Sequence, residues 1–471
     1  MGRRVILKYL NTMIKKIIKL GSILFAASLA QVVHAEPERP NIVVFLADDM
    51  GWGDASCYGS DKIVSPNIDM LASQGVRFTQ AYAACGVCSP SRSAILTGRT
   101  PYRNGVWEHL SGKGPAHLRA SEITYPKLLQ QAGYTTCHVG KWHLNSKQQF
   151  NNPDYPQPSD HGYDYWMSTH NNASPSHKNP DNFIRNGEPV GPVNAYSAPF
   201  VAEEAIHWLK DIRDPAKPFV LSIWVHEPHL PIATDEPFLA HYGKDPKAKY
   251  YGNITQLDFA LGQVMDELEE QVLADNTLFI FTSDNGPEGR NDSRGGSTGG
   301  LSGRKRDDLE GGIRVPGIVR WPGHIEPGTV SSIPVIGSDV FTTVLEAAGV
   351  PIPTDRTIDG ASMMPAFSGQ PVIRTVPLFW RTHVSDPACR VAVRVGDWKL
   401  VANDAMDQFQ LFNIEQDPTE ANNLAGTMPE KLDELKKTMF EVWEDVQSEG
   451  PSEWWLEVKR KPKGPNGTLP Y

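Results

Sequence analysis

The chain predicts an α/β fold, with a large and mainly parallel sheet sandwiched by helices and a smaller C-terminal antiparallel sheet plus helix. Three observations carry that expectation. Continuous apolar runs of strand length recur along the 471 residues, and runs without polar alternation belong to strands buried on both faces. Helical patterns closed by glycine stand between them. Beyond about residue 370 the runs shorten and are joined by tight turns, as in antiparallel pairing. The length suffices for one large core and an appendage.

The first 35 residues stand apart. Arg3, Arg4, Lys8, Lys15, Lys16 and Lys19 come with no acid, followed by "LGSILFAASLAQVV" and Val33-His34-Ala35. That is a signal peptide with cleavage after Ala35, and it predicts secretion, into a periplasm if the source is bacterial. The apolar part is interrupted by Ser and Gln and falls short of the roughly 20 residues a membrane span needs, so no stable membrane insertion is expected. "RRVILK" also resembles a twin-arginine signal, and both export routes stay open.

Next come the strands, whose downstream ends carry polar chemistry. "NIVVFLADDMGWGD" ends in Asp48 and Asp49, "YTTCHVGKWH" in Lys141 and His143, "FVLSIWVHEPHLP" in His226 and His229, and "LFIFTSDNGPE" in Asp284 and Asn285. Between them lie "NIDMLASQG", "YPKLLQQAG", "ITQLDFALGQVMDELEEQ" and "VFTTVLEAAG" as helices. Alternating strands and helices imply a parallel sheet, and ligands of such sheets sit beyond the strands' carboxyl ends. Four strands ending in groups that handle cations, anions or protons would meet in one cleft. The organisation expected is a signal peptide over 1–35, a catalytic α/β domain over 36–370 and an α+β subdomain over 371–471. In the last, "RVAVRVGDWKLVAN" reads as a hairpin turning at Gly396-Asp397, "FQLFNI" as a strand, and Pro429 to about Gln447 as an amphipathic helix.

Charge narrows the function classes. Six of the 45 Lys and Arg but none of the 55 Asp and Glu lie in the leader, leaving 39 bases against 55 acids, formally −16. So acidic a protein is a poor nucleic-acid partner. Five cysteines are an odd number for an oxidising compartment, which points to one that is free or chemically altered.

Two of them fall in "ACGVCSPSRSAILTGR", residues 84–99. A thioredoxin-like pair would sit in a small βαβ domain and leave Pro90-Ser91-Arg92 unexplained. A zinc site needs a second ligand pair, and Cys57, Cys137 and Cys389 are isolated. A Cys85–Cys88 disulfide would close a very tight loop. From Cys88 onward the string Cys-Ser-Pro-Ser-Arg-Ser-Ala-Ile-Leu-Thr-Gly resembles the signature of the formylglycine-dependent sulfatases. In that family the leading cysteine is oxidised after translation to an aldehyde. Pro90 and Arg92 stand two and four residues beyond Cys88, whereas Cys85 has Val87 and Ser89 there. The resemblance extends through "NIVVFLADD", "TSDNG" and "EGGIRVP", and implies the alkaline phosphatase superfamily fold. Conversion of Cys88 would leave four cysteines.

The chemistry follows. Asp48, Asp49, Asp284 and Asn285 are all oxygen donors, which suits a hard divalent cation, calcium before magnesium, and not zinc. Clustered carboxylates would repel one another without it. The resemblance implies formylglycine at Cys88, reached with a formylglycine-generating or anaerobic sulfatase-maturating enzyme. Pro90 would open a helix whose N-terminus faces the sulfate. Arg92 would hold the hydrated aldehyde, Lys141 and His143 contact the sulfate and the hydrate, and His229 stand near the leaving oxygen, with His226 behind it. Lys305, five residues before Glu310, matches the second sulfate lysine, and Asp284 is a candidate base.

The long segment "DHGYDYWMSTHNNASPSHKNPDNFIRNG" offers aromatic faces with amide and imidazole groups, which suits a sugar ring. It is similar to the loop of sulfatases acting on galactose or N-acetylgalactosamine sulfates, including those of marine galactans such as carrageenan. His170, Asn171, His177 and Arg294 are the expected sugar contacts. Two other readings stay open on the sequence, a phosphonate monoester or phosphodiester hydrolase of the same superfamily and a non-catalytic sulfated-glycan binder. A thiol-redox protein would leave the rest of the motif unused.

Overall fold

The computed structural model describes residues 39–110, 114–289, 295–384 and 386–454. The expected signal peptide and Arg294 lie outside them. Fifteen strands are present among the described residues: β1 Asn41–Ala47, β2 Val76–Tyr82, β3 Thr135–Lys141, β4 Tyr165–Thr169, β5 Ile184–Arg185, β6 Glu188–Pro189, β7 Phe219–Trp224, β8 Thr277–Ser283, β9 Arg314–Arg320, β10 Thr329–Ser331, β11 Val335–Ile336, β12 Leu378–Arg381, β13 Val391–Val395, β14 Trp398–Ala402 and β15 Phe409–Asn413. The first eleven form one sheet in the order β10-β2-β9-β8-β1-β7-β3-β4-β5-β6, with β11 also on β2.

The centre of that sheet is the parallel block β8-β1-β7-β3-β4. Every residue of β1 is buried. Ile42, Val44 and Leu46 enter one core with the helices Tyr125–Gln131 and Asp339–Ala347, while Val43, Phe45 and Ala47 enter the opposite core with the helices Pro66–Ser73 and Ala248–Glu270. Burial on both faces is why the run carries no polar alternation. The four strands whose ends drew attention in the sequence, β1, β3, β7 and β8, all lie in this block, so their carboxyl ends open on one side.

Two strands break the parallel rule. The short strand β5 runs antiparallel to β4 and β6. β9 runs antiparallel to both β8 and β2, a direction its sequence does not encode. Strands β12 to β15 form a separate antiparallel sheet in sequence order, with the hairpin turning at Gly396-Asp397 and Gly396 at φ 57°. The helix Pro429–Glu449 buries Leu435, Met439, Val442, Trp443 and Val446, one stripe at helical spacing.

Candidate active site

The helix Cys88–Thr97 follows β2 and is buried along its whole length. It starts two residues earlier than its proline suggests. Pro90 sits in the first turn, where the missing N–H costs nothing because the opening amides have no intrahelical acceptor. Residue 88 is therefore the first helical residue, at the positive end of the dipole. Cys88 is a free thiol, and burial pushes it up to about 12.

Around Cys88 the strand ends converge. Its Sγ is 4.0 Å from Asp49 Oδ1, and ligand atoms of Asp48, Asp49, Cys88 and His229 all lie within 4.8 Å of one another. Asp49 adopts φ 68° and is held there by its N–H to Asp284 Oδ1 at 3.1 Å and by Met50 N–H to Ser283 Oγ at 2.9 Å. His143 turns β3 in the same way, at φ 54°, with its N–H on the His170 carbonyl at 2.8 Å. Left-handed backbone at non-glycine residues is costly and persists where surrounding contacts enforce it. Just before this turn, Gly140 has φ 104°, and a Cβ there would meet the Trp224 carbonyl oxygen at 2.0 Å.

Three cations interleave with three carboxylates. Arg92 donates from Nε to Asp284 Oδ2 at 2.9 Å and from Nη1 to the Lys141 carbonyl at 3.0 Å, with its guanidinium 5.3 Å from the Trp224 ring centroid. Lys141 Nζ donates to Asp48 Oδ2 at 2.7 Å. Lys305 Nζ reaches both Asp49 oxygens, at 2.6 and 2.7 Å. Burial, and after it the repulsion of Asp48, pushes Asp284 up to about 6. At Asp49 burial also opposes the charge, but Lys305 and then His229 outweigh it and hold the carboxyl well below the usual range. His229 Nε2 is 3.7 Å from Asp49 Oδ2, and burial holds its imidazole down to about 3.

The donor set fits a divalent cation. Asp48 Oδ1 and Asn285 Oδ1 are buried without a hydrogen-bond partner, and orphaned oxygens beside further carboxylates are what a hard cation uses. Asn285 Nδ2 donates to Asp49 Oδ1 at 2.7 Å, which ties the two donor pairs together.

Of the residues singled out in the sequence, Asp48, Asp49, Cys88, Arg92, Lys141, His229, Asp284, Asn285 and Lys305 share this cluster. His143 is fully buried beside it, its ring 5.6 Å from that of His170. Asn171 is half-buried next to His170. His226 has both ring nitrogens occupied, by Thr169 Oγ1 at 2.7 Å and Ser197 Oγ at 2.6 Å, and so serves as a support. His177 is buried 5.5 Å from His226. Sequence reading missed His109, whose ring is 4.7 Å from His143, and His383, 5.5 Å from Trp107. Neither follows a strand that pattern marked out.

Comparison with known proteins gives the family. The sulfatase family profile matches residues 40–350, and a profile for the C-terminal part of N-sulphoglucosamine sulphohydrolase matches 304–449. N-acetylgalactosamine-6-sulfatase of Canis lupus familiaris is 32% identical over 449 residues, 89% of this chain and 82% of its own. The crystal structure of Ps i-CgsB in complex with k-i-k-neocarrahexaose is 27% identical with a TM-score of 0.78, covering 90% of this chain and 98% of that one. Phosphonate monoester hydrolase of Agrobacterium radiobacter, at 20% identity and a TM-score of 0.60 over 87% and 96% of the two chains, shares the fold. The chain belongs to the sulfatase family and is a sulfuric ester hydrolase on the alkaline phosphatase fold.

Proposed function

We propose that the enzyme removes sulfate from a galactose or N-acetylgalactosamine unit of a sulfated polysaccharide such as carrageenan, with formylglycine at position 88 and calcium on Asp48, Asp49, Asp284 and Asn285. The observation that carries this is the placement of residue 88 at a buried helix N-terminus, ringed by Arg92, Lys141, Lys305 and the carboxylates. The sugar class is supported by the relative named for N-acetylgalactosamine 6-sulfate and by the neighbour solved with a neocarrahexaose. The 36–370 and 371–471 division and export with cleavage after Ala35 belong to the same proposal.

When present, the hydrated aldehyde supplies an oxygen nucleophile and the cation supplies fixed positive charge. Lys141 and Lys305 bind the sulfate oxygens. Arg92, anchored on Asp284 and the Lys141 carbonyl, orients the oxygen at residue 88, and Asp284 accepts its proton. His143 takes part in holding the anion. His229, whose Nδ1 donates to the Leu230 carbonyl, gives the departing oxygen a proton from Nε2 once the bound anionic ester has brought the ring to its protonated form. Three cationic and three carboxylate side chains balance, so a bound divalent cation makes the pocket net positive. That draws an anionic ester into a protein that is acidic overall.

The test is free sulfate released from galactose, N-acetylgalactosamine and aryl sulfates by protein co-produced with a maturation enzyme, beside Cys88→Ala. Release from a sugar sulfate that disappears in the variant is expected. No release from any of them, with residue 88 shown by mass to be converted, or a preference for a phosphonate monoester, would reject the reading.

A further inference from the structure

A row of imidazoles adjoins Lys141. His143 stands in the middle, edge-to-face with His109 at 4.7 Å and 81° and with His170 at 5.6 Å and 80°. Both ring nitrogens of the buried His143, and Nε2 of His170, have no hydrogen-bond partner among the described residues. Each such buried group costs about 1–3 kcal/mol unless something pairs with it. The row is anchored next to the nucleophile position, because Leu110 donates its backbone N–H to Ser89 Oγ at 3.4 Å. His109 lies within electrostatic reach of Lys141, Lys305, His229 and His383. His383 comes from the other sheet, two residues past β12, and its ring packs against Trp107.

We propose that His109 and His383 complete the wall of the pocket that holds the sugar ring bearing the sulfate, and that this wall recognises ring hydroxyls. The inference rests on the carbohydrate sulfatase reading above. Imidazole nitrogens that lack partners are matched by hydroxyls, which both donate and accept. Burial is the leading reason that His109 and His383 are each held down to about 3 and His170 to about 4. The wall is therefore neutral at pH 7 and reads hydroxyls, while Lys141 and Lys305 read the anion. His383 makes the small C-terminal sheet part of the sugar site.

The experiment measures binding without turnover. Calcium-loaded Cys88→Ser protein is titrated calorimetrically with N-acetylgalactosamine 6-sulfate, galactose 4-sulfate and inorganic sulfate, alone and with His109→Ala, His109→Gln or His383→Ala added. Loss of one hydroxyl contact should weaken the sugar sulfate about tenfold in each alanine variant. Inorganic sulfate should change by less than about twofold, and His109→Gln should recover part of the loss. Equal weakening of sugar sulfate and inorganic sulfate, no weakening of either, or failure of both sugar sulfates to bind would overturn the assignment. If the sugars bind as expected while mature wild-type protein releases no sulfate, the catalytic reading fails and the wall stands.

Discussion

Replacing Glu310 with glutamine removes one charge from a buried knot between the two sheets. Glu310 is fully buried ahead of β9. Its Oε1 accepts from Lys399 of β14 at 3.0 Å, and its Oε2 from Arg314 Nε at 2.7 Å and from Tyr82 at the end of β2 at 2.8 Å. Lys399 is shared with Glu420 at 2.9 Å, and Arg394 of β13 donates to the Tyr82 hydroxyl. Burial opposes ionisation of Glu310, but Lys399 and then Arg314 override it and hold the carboxyl down from 4.5 to about 2. That gap is worth about 3 kcal/mol. Removing one partner of a buried ion pair costs about 3–5 kcal/mol by an independent route. Glu310→Gln should therefore lose about 3–5 kcal/mol at pH 7 in urea unfolding. The folded value lies below the unfolded one, so the stabilisation is complete above about pH 5 and is lost as pH falls from 4.5 towards 2. The deficit of the variant should shrink between pH 5 and 4. A variant within about 0.5 kcal/mol of wild type at pH 7, or a deficit indifferent to pH, would refute the reasoning.

Three further outcomes follow from the site. His229→Ala should lower kcat/KM on a sugar sulfate by about 10²–10⁴-fold and on a nitrophenyl sulfate far less, since a phenolate leaves without a proton; equal losses in the two assays would remove His229 from that role. Gly140→Ala places a Cβ 2.0 Å from the Trp224 carbonyl at φ 104°, and should destabilise the fold by more than about 2 kcal/mol or abolish soluble expression, read as a shift in unfolding midpoint. Chelation should abolish sulfate release and lower Tm, because Asp48, Asp49 and Asp284 are left to repel one another, and calcium should restore both better than magnesium; a protein indifferent to chelator would contradict the assigned ligand set.

Much of the architecture and most of the candidate site are legible in the sequence because burial writes itself locally. β1, β3, β7 and β8 are buried on both faces and so appear as unbroken apolar runs, and the polar residues that follow each run had to emerge at the same edge of a parallel sheet. Asp48, Asp49, Lys141, His143, His229, Asp284 and Asn285 were found that way. Cys88, Arg92 and Lys305 came from resemblance to a motif. What no local pattern carried was decided by packing between distant segments. The antiparallel direction of β9 depends on which neighbours accept its backbone. Arg394 and Lys399 look like the solvated face of a hairpin until Glu310 and Tyr82 are brought against them. His383 meets Trp107, and His109 meets His143, only through tertiary packing, and a single chain position holds no record of which surface the fold will place opposite it.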